Sequence, residues 1–240
     1  MAPEYEILTP ATVPAYIDKT PTLAGIVDTK TLEVTEVGDG NLNLVFVCKD
    51  GNGDGICLKQ SLPYVRLVGE AWPLTPERVV AEARGLKAAA DHVPDLVPAY
   101  YGVDKDQYVL AMEYLMGWDM WRIQLNEGNS HPGVGAQLGR YVAALAFYTS
   151  FFSIDQGEIK ERLAEAINPE LCKITEDLVF TEPYIDVDNN SFVDELIPEI
   201  EGMRTDARLR AEVGMLKYRF MTAGEALIHG DLHTGSVMVR

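Results

Sequence analysis

Residues 227–236 read LIHGDLHTGS, an apolar approach followed by a His-Gly-Asp turn. Three interpretations of this segment are open. Asp231 is a carboxylate aimed at a reacting hydroxyl group, or it only caps a neighbouring loop, or His229, Asp231 and His233 alternate as metal ligands. A zinc hydrolase usually takes further ligands from elsewhere in the chain, and the remaining histidines, His92 and His131, lie in ordinary loop or helix-end surroundings. The metal-hydrolase interpretation is therefore the weakest of the three.

Lys59 is a second residue with a possible functional role. It lies in the middle of the apolar strand segment 56–60 (ICLKQ). A lysine on an edge strand often serves solubility alone. This lysine follows a strand–glycine loop–strand hairpin, so it is also a candidate contact for nucleotide phosphates. Glu82, 23 residues later on a predicted helix, is its candidate partner, whereas Glu77 is better placed to interact with the positive helix end.

Two glycine-rich turns flank the second predicted strand. In residues 38–43 (GDGNLN), Gly38 and Gly40 allow close backbone approach, and successive N–H groups can cradle phosphate oxygens. A plain hairpin turn explains the same pattern, and a dinucleotide-binding motif fails because Asn43 replaces its third glycine. Residues 50–55 (DGNGDG) begin like a calcium-binding loop, but Ser61 stands where the terminal Glu is required. We predict a hairpin turn there.

The hydrophobic periodicity predicts strands at residues 31–37, 44–48, 56–60 and 108–115. It predicts helices from residues 75–77 to about 90 and at residues 137–152, 156–167 and 204–225, with an irregular stretch at 168–190. The first three strands should form an antiparallel meander. A symmetric second hairpin would place Cys48 opposite Cys57, which we interpret as two buried thiols rather than a disulfide. The apolar stretch 142–152 is shorter than the ~20 residues of a membrane span and should be a buried helix.

The composition limits the classes of partner. The chain has 240 residues, of which 47% are hydrophobic, and 20 basic against 37 acidic residues give a net charge of −17. So acidic a protein repels nucleic-acid phosphate and anionic lipid, so we expect no nucleic-acid and no membrane partner. The N-terminus shows no leader pattern, and the three cysteines form no C-x-x-C pair. These features predict a soluble cytoplasmic protein.

The glycine loop, strand lysine, helix glutamate and His-x-Asp loop occur in the order typical of the protein-kinase-like fold. The His-Gly-Asp sequence resembles the small-molecule branch of that fold, which includes aminoglycoside and choline kinases. More specifically, the chain resembles the 5-methylthioribose kinases. The matching stretches are residues 38–43, 59–60, 63–66 (PYVR), 69–74 (GEAWPL), 170–172 (ELC) and 226–239 (ALIHGDLHTGSVMV).

This resemblance implies an α+β, bilobal protein-kinase-like fold. The antiparallel-sheet N-lobe would comprise residues 1–111, the hinge residues 112–117, and an incomplete helical C-lobe residues 118–240. The implied reaction transfers the ATP γ-phosphate to the 1-hydroxyl of S-methyl-5-thioribose in methionine salvage, a route of methionine biosynthesis. Asp231 would be the catalytic base and would contact the sugar. The implied ATP-binding residues are Gly38, Gly40, Asn41, Asn43, Lys59, Glu82, Glu113, Tyr114 and Leu115. The family is usually homodimeric.

Two departures from the kinase pattern concern Mg²⁺. Ser236 stands where protein kinases carry a metal-binding Asn, a feature shared with methylthioribose kinases, so Ser236 is a candidate metal ligand. The Asp-x-Gly or Asp-x-Glu motif that holds Mg²⁺ does not follow the catalytic loop within these residues. We therefore expect the main Mg²⁺ ligands beyond residue 240 and little activity from these residues alone. The alternatives are another sugar, choline or aminoglycoside kinase, or a non-catalytic nucleotide-binding pseudokinase.

Overall fold

A five-stranded antiparallel sheet organises the N-terminal part of the chain. The computed structural model describes residues 5–38, 42–66, 69–188 and 190–240. The sheet contains β1 (Glu33–Val37), β2 (Asn43–Lys49), β3 (Gly55–Ser61), β6 (Tyr100–Asp104) and β7 (Val109–Glu113), and a separate hairpin contains β4 (Tyr64–Val65) and β5 (Gly69–Pro73). The spatial order is β1-β2-β3-β7-β6. The predicted α+β class with an antiparallel N-terminal sheet and a three-strand meander is confirmed.

One face of the sheet is covered by the N-terminal segment and helix α1 (Val13–Lys19). Val13 and Ile17 lie one helical turn apart and pack with Phe46 of the sheet in a fully shielded cluster. Gln60 is also fully buried, and its side-chain oxygen accepts a 2.8 Å hydrogen bond from the Leu8 N–H. Because a buried amide is costly unless its polar atoms are paired, this contact fixes the N-terminal segment on the sheet.

Helix α2 (Arg78–His92) packs on the opposite face. Its residues Val79 and Ala83 form a second cluster with Leu110 of β7. Lys59 lies directly across from Leu110 in the β3–β7 register, and directly paired residues of neighbouring strands share a face. The register therefore presents Lys59 to the helix side of the sheet. Glu77 is the N-cap residue, next to the positive helix end where its charge is favourable.

The segment after the sheet contains α3 (Trp121–Asn126) and α4 (Val134–Tyr148), with strand β8 (Asp119–Met120) before α3. Strand β8 pairs antiparallel with β9 (Met238–Val239), which brings the C-terminal segment beside the start of α3. Ala144 and Leu145 of α4 pack against Ala89 of α2 and against Val93, the residue that follows this helix. The prediction of a wholly buried helix over residues 142–152 is wrong, because α4 ends at Tyr148 and Phe152 is 72% exposed.

The chain forms two compact units, residues 1–154 with 226–240, and residues 155–225. The second unit contains α5 (Gln156–Glu165), α6 (Pro169–Leu178), α7 (Ile197–Thr205) and α8 (Ala207–Thr222). Helix α6 lies in the stretch predicted to be irregular. Its start follows ordinary rules, because the Asn168 side chain caps the helix and Pro169 occupies the first turn. The division into lobes at residues 112–117 rests on motifs and stays a prediction.

The second hairpin corrects one register prediction. Cys48 lies across from Ile56, and Cys57 lies across from Val47, so the two thiols are not opposite each other. The reason is a turn with an odd number of residues, 50–54, held by the Asp50 carboxylate. The first oxygen of that carboxylate accepts hydrogen bonds of 2.9 Å from two turn N–H groups. Both thiols are buried and free.

Candidate functional site

Lys59 and Glu82 form an ion pair on the helix side of the sheet. The distance from Lys59 Nζ to Glu82 Oε1 is 2.6 Å, and both side chains are only partly exposed. Strand β3 fixes the lysine backbone, and α2 presents the glutamate one turn after Arg78. The pairing predicted from the sequence is therefore present, and it holds the ammonium group in one place while leaving hydrogens free for a second acceptor.

The glycine-rich turn is described in part. Gly38 ends β1 in an exposed turn, whereas Gly40 and Asn41 lie outside the described residues. Asn43 begins β2 and is 6% exposed. Its side-chain oxygen accepts from the Ser61 hydroxyl at 3.1 Å and from the Arg78 guanidinium at 2.8 Å. The structure thus places Asn43 at the start of β2, with its side-chain oxygen already engaged by protein donors.

The segment Glu113, Tyr114 and Leu115 leaves β7 and leads toward β8. The Glu113 N–H donates to the Ala99 carbonyl oxygen at 2.9 Å, and the Tyr114 carbonyl oxygen accepts from the Met116 N–H at 2.9 Å. The Leu115 N–H makes no hydrogen bond with the described part of the protein. Each carbonyl oxygen keeps a second lone pair. One donor and adjacent acceptors are what the edge of an adenine ring requires.

The loop of residues 229–236 presents Asp231 to solvent. The Asp231 side chain is 80% exposed, while its backbone is held at both ends of the residue. Its N–H donates to His229 Nδ1 at 3.2 Å, and its carbonyl oxygen accepts from the Ser236 hydroxyl at 2.8 Å. A carboxylate that is fixed by its backbone and open at its side chain is suited to accept a proton from a bound hydroxyl group.

His233 connects this carboxylate to α3. Its Nδ1 accepts from the Gly235 N–H at 2.9 Å and lies 2.7 Å from Arg122 Nη2. Because Arg122 can only donate, Nδ1 is the acceptor nitrogen, which assigns the proton of the neutral ring to Nε2. Nε2 lies 3.4 Å from the Asp231 carboxylate. The ring is thereby oriented with its N–H toward the candidate base.

His229 is subject to the charges of both the ion pair and the loop carboxylate. Surrounding protein atoms desolvate the ring and lower the pKa of His229 below its ordinary value, because imidazolium needs water more than imidazole does. The charges of Asp231 and Glu82 oppose this pKa shift, whereas Lys59 and His233 reinforce it. The charges of the predicted ion pair and of the predicted base, Asp231, therefore both influence the pKa of this ring. Tyr141 of α4 packs edge-on against it at a centroid distance of 6.2 Å.

The described residues do not by themselves form a metal site. Among them there is no group of three or more His, Cys, Asp or Glu side chains that could hold a metal ion. Ser236, the candidate Mg²⁺ ligand, donates its hydroxyl hydrogen to the Asp231 carbonyl oxygen. The alternating histidines of the loop engage Arg122 and backbone N–H groups, so the metal-hydrolase interpretation has no support in this geometry.

Two basic residues belong to the surroundings of the site although the sequence patterns did not single them out. Arg122 reaches the loop from 111 residues away in sequence, so no local pattern could reveal it. Arg78 starts α2 and donates to the carbonyl oxygen of Leu42, near the end of the glycine-rich turn. Its position four residues before Glu82 places both on one helix face, which was the available signal. All of these residues belong to the unit formed by residues 1–154 and 226–240.

No protein-family model matches the chain. A methylthioribose kinase of Geobacillus kaustophilus (strain HTA426) is 46% identical to it over 213 residues, which is 88% of this chain and 54% of the relative. A methylthioribose kinase of Citrobacter koseri is 44% identical over 220 residues, 91% of this chain and 55% of the relative. The chain thus spans about half the length of the curated relatives it matches.

Among solved structures, a choline/ethanolamine kinase family protein from Mesorhizobium loti aligns with 80% of this chain and 51% of its own. The TM-score is 0.39 and the sequence identity 19%. In the described part of the chain, every helix is too short or too polar to cross a membrane.

Proposed function

We propose, from the homology of this chain to methylthioribose kinases, that it supplies the nucleotide-binding groups and the catalytic base of a small-molecule kinase. The reaction would transfer the γ-phosphate of ATP to the 1-hydroxyl of S-methyl-5-thioribose. The observation that carries the proposal is that the Lys59–Glu82 ion pair and the exposed Asp231 carboxylate both act electrostatically on one residue, His229. These are the groups that phosphoryl transfer needs for orientation and charge.

The nucleotide end of the mechanism follows from the fixed donors. The Leu115 N–H and the neighbouring carbonyl oxygens would bind the adenine edge. Lys59, oriented by Glu82 at 2.6 Å, would bind the α- and β-phosphate oxygens. The glycine-rich turn that starts at Gly38, with Gly40 and Asn41, would cover the phosphates with backbone N–H groups. Asn43 would contribute to nucleotide binding indirectly, by holding β2, the strand that follows the turn, in place.

The sugar end of the mechanism requires one proton transfer. The Asp231 carboxylate would accept the proton of the 1-hydroxyl as the oxygen bonds to the γ-phosphorus, and the bond from that phosphorus to the β–γ bridging oxygen would break, releasing ADP. His233 would keep its Nε2–H toward the carboxylate, so that the oxygen facing the sugar is the free one. Mg²⁺ would neutralise the phosphate charges when bound with ATP. We propose Ser236 as one candidate ligand of that ion.

A substrate panel separates this proposal from the related kinases. With magnesium and ATP, the complete gene product should release ADP with S-methyl-5-thioribose and not with choline, an aminoglycoside or unmodified ribose. The Asp231→Asn variant should lose about a hundredfold or more in kcat while its affinity for ATP stays near that of the parent, because the lost group acts only on the hydroxyl. Preference for another acceptor, or normal turnover by the variant, would remove the substrate assignment or the role of Asp231.

The pseudokinase alternative makes a different prediction for the same protein. ADP would raise the thermal midpoint of unfolding, but no acceptor in the panel would stimulate ADP release.

We further propose, in line with the resemblance, that the protein is a cytoplasmic homodimer. Light scattering of the complete gene product measures its oligomeric state directly. A monomeric mass at micromolar concentration would contradict the dimer and leave the kinase assignment untouched.

A further inference from the structure

Arg78 is a buried arginine with an unusual set of acceptors. Its side chain is 3% exposed at the first position of α2. Nη1 donates to the carbonyl oxygens of Leu62 at 2.7 Å and Thr75 at 2.8 Å. Nη2 donates to the Leu42 carbonyl oxygen at 2.6 Å and to Asn43 Oδ1 at 2.8 Å, and Nε reaches the same Asn43 oxygen at 3.2 Å.

These acceptors come from three places that the proposed nucleotide site depends on. Leu42 and Asn43 are the last two residues of the glycine-rich turn, and Asn43 is also the first residue of β2. Leu62 follows β3, the strand that carries Lys59. Thr75 lies just before α2, and the helix then presents Glu82 one turn after the arginine. One guanidinium group therefore joins the end of the turn, the end of the lysine strand and the start of the glutamate helix.

We infer that Arg78 is a positioning residue that sets nucleotide affinity by fixing the base of the glycine-rich turn to helix α2. This inference rests on the proposed function. A planar guanidinium has five N–H donors in a rigid fork, so it can hold acceptors at fixed mutual angles. A buried charge persists only when it is well hydrogen-bonded, which makes the arrangement of these four oxygens strongly determined.

The same geometry reassigns Asn43. Its Oδ1 receives Nε and Nη2 of Arg78 together with the Ser61 hydroxyl. Three donors on one oxygen make Asn43 part of the anchor rather than a side chain that reaches over the phosphates. Its effect on ATP would then pass through the position of β2, in the same direction as the effect of Arg78.

Two substitutions test the role of the guanidinium. Arg78→Lys keeps the charge but loses the fork, and Arg78→Met loses both. We expect each substitution to raise the Kd of the full chain for fluorescent N-methylanthraniloyl-ADP by about tenfold or more. A change of this size corresponds to losing the hydrogen bonds made by a charged donor, the guanidinium group. In the complete gene product, KM for ATP should rise while KM for the sugar and kcat stay near the parent values. Lys87→Met is the matched control, because Lys87 lies on the same helix and pairs only at the surface with Asp91.

The outcomes separate this inference from the function it rests on. Failure of the parent protein to bind the nucleotide overturns both. Nucleotide binding by the parent with Kd values within about twofold in both Arg78 variants overturns this inference alone. If Arg78 only stabilised the fold, its substitution would lower the active fraction and therefore the apparent kcat, with KM unchanged. That result would also contradict the inference. If Arg78→Met does not fold, Arg78→Lys and Asn43→Ala decide, since Asn43→Ala removes one acceptor and leaves the three backbone carbonyl oxygens.

Discussion

Gly235 is the position at which the smallest side-chain change should alter the candidate active site. A Cβ atom on Gly235 would lie 2.7 Å from His233 Cε1 and 3.0 Å from both Arg122 Cζ and Arg122 Nη2. These distances are shorter than ordinary carbon contacts of 3.5–4.0 Å. The backbone of Gly235 has a conformation that alanine adopts without strain, so the effect of Gly235→Ala is steric. The imidazole ring, the guanidinium group or both must move.

The size of the effect follows from what these two groups hold. His233 Nδ1 is oriented by the Gly235 N–H and by Arg122, and a shift of the ring moves its Nε2–H away from Asp231. Displacement of a catalytic group by about 1 Å costs up to about a hundredfold in rate, so we expect kcat to fall by about 10- to 100-fold. The free energy of unfolding should change by about 0.5 kcal/mol or less, because the crowded atoms are ends of surface side chains that can move.

The assay compares kcat for ADP release and thermal unfolding in the same preparations of the complete gene product. Gly139→Ala is the matched control, because Gly139 lies within α4 and a Cβ there would meet no described atom within 4 Å apart from its chain neighbours and the backbone of its own helix, and alanine should stabilise that helix by about 0.5–1 kcal/mol. In a His233→Ala background, Gly235→Ala should cost little more, since the ring it displaces is gone. Normal kcat in Gly235→Ala would refute the orienting role of His233.

Two further predictions concern the ion pair and the neighbouring ring. Lys59→Met should weaken binding of labelled ADP by about tenfold or more, and Glu82→Gln should weaken it less, because the glutamate only orients the lysine. Equilibrium titration of both variants measures these affinities. A larger loss in Glu82→Gln than in Lys59→Met would contradict the roles proposed for the two residues. The pKa of His229 is lowered by burial, so the unfolded chain binds this proton more readily than the folded protein. The free energy of unfolding should therefore fall as the pH drops below about 6.5, and His229→Gln should reduce that slope in denaturant titrations at a series of pH values.

Local patterns were sufficient for the sheet and for part of the site. The segment that forms β1 alternates with period two, β2 and β3 are short strand segments next to glycine-rich turns, and a helix that starts just after Pro76 brings Glu82 to Lys59. The patterns failed where long-range packing decides the structure. Helix α1 has only two buried residues, Val13 and Ile17, which is too short a repeat to recognise, and β6 became a strand by pairing with β7.

Contacts between distant segments account for the site residues that the patterns missed. Arg122 belongs to a short helix whose register is set by the pairing of β8 with β9. Its contact with His233 depends on a residue pair 111 positions apart. Arg78 is an ordinary helix-start residue by sequence, and most of its acceptors come from distant segments, at Leu42, Asn43 and Leu62. Sequence spacing can suggest a partner within one helix or hairpin, and it cannot rank partners across the fold.

The net charge of −17 gives this arrangement of cations a further consequence. A strongly acidic protein repels a nucleotide at long range, so the field of the whole molecule cannot drive ATP binding. Attraction must act at contact distance, where Lys59 is already oriented by Glu82. Orienting this cation before binding lowers the entropy lost when the phosphates arrive. Salt screens long-range repulsion more than short contacts, and so the rate of nucleotide association should rise rather than fall with moderate ionic strength.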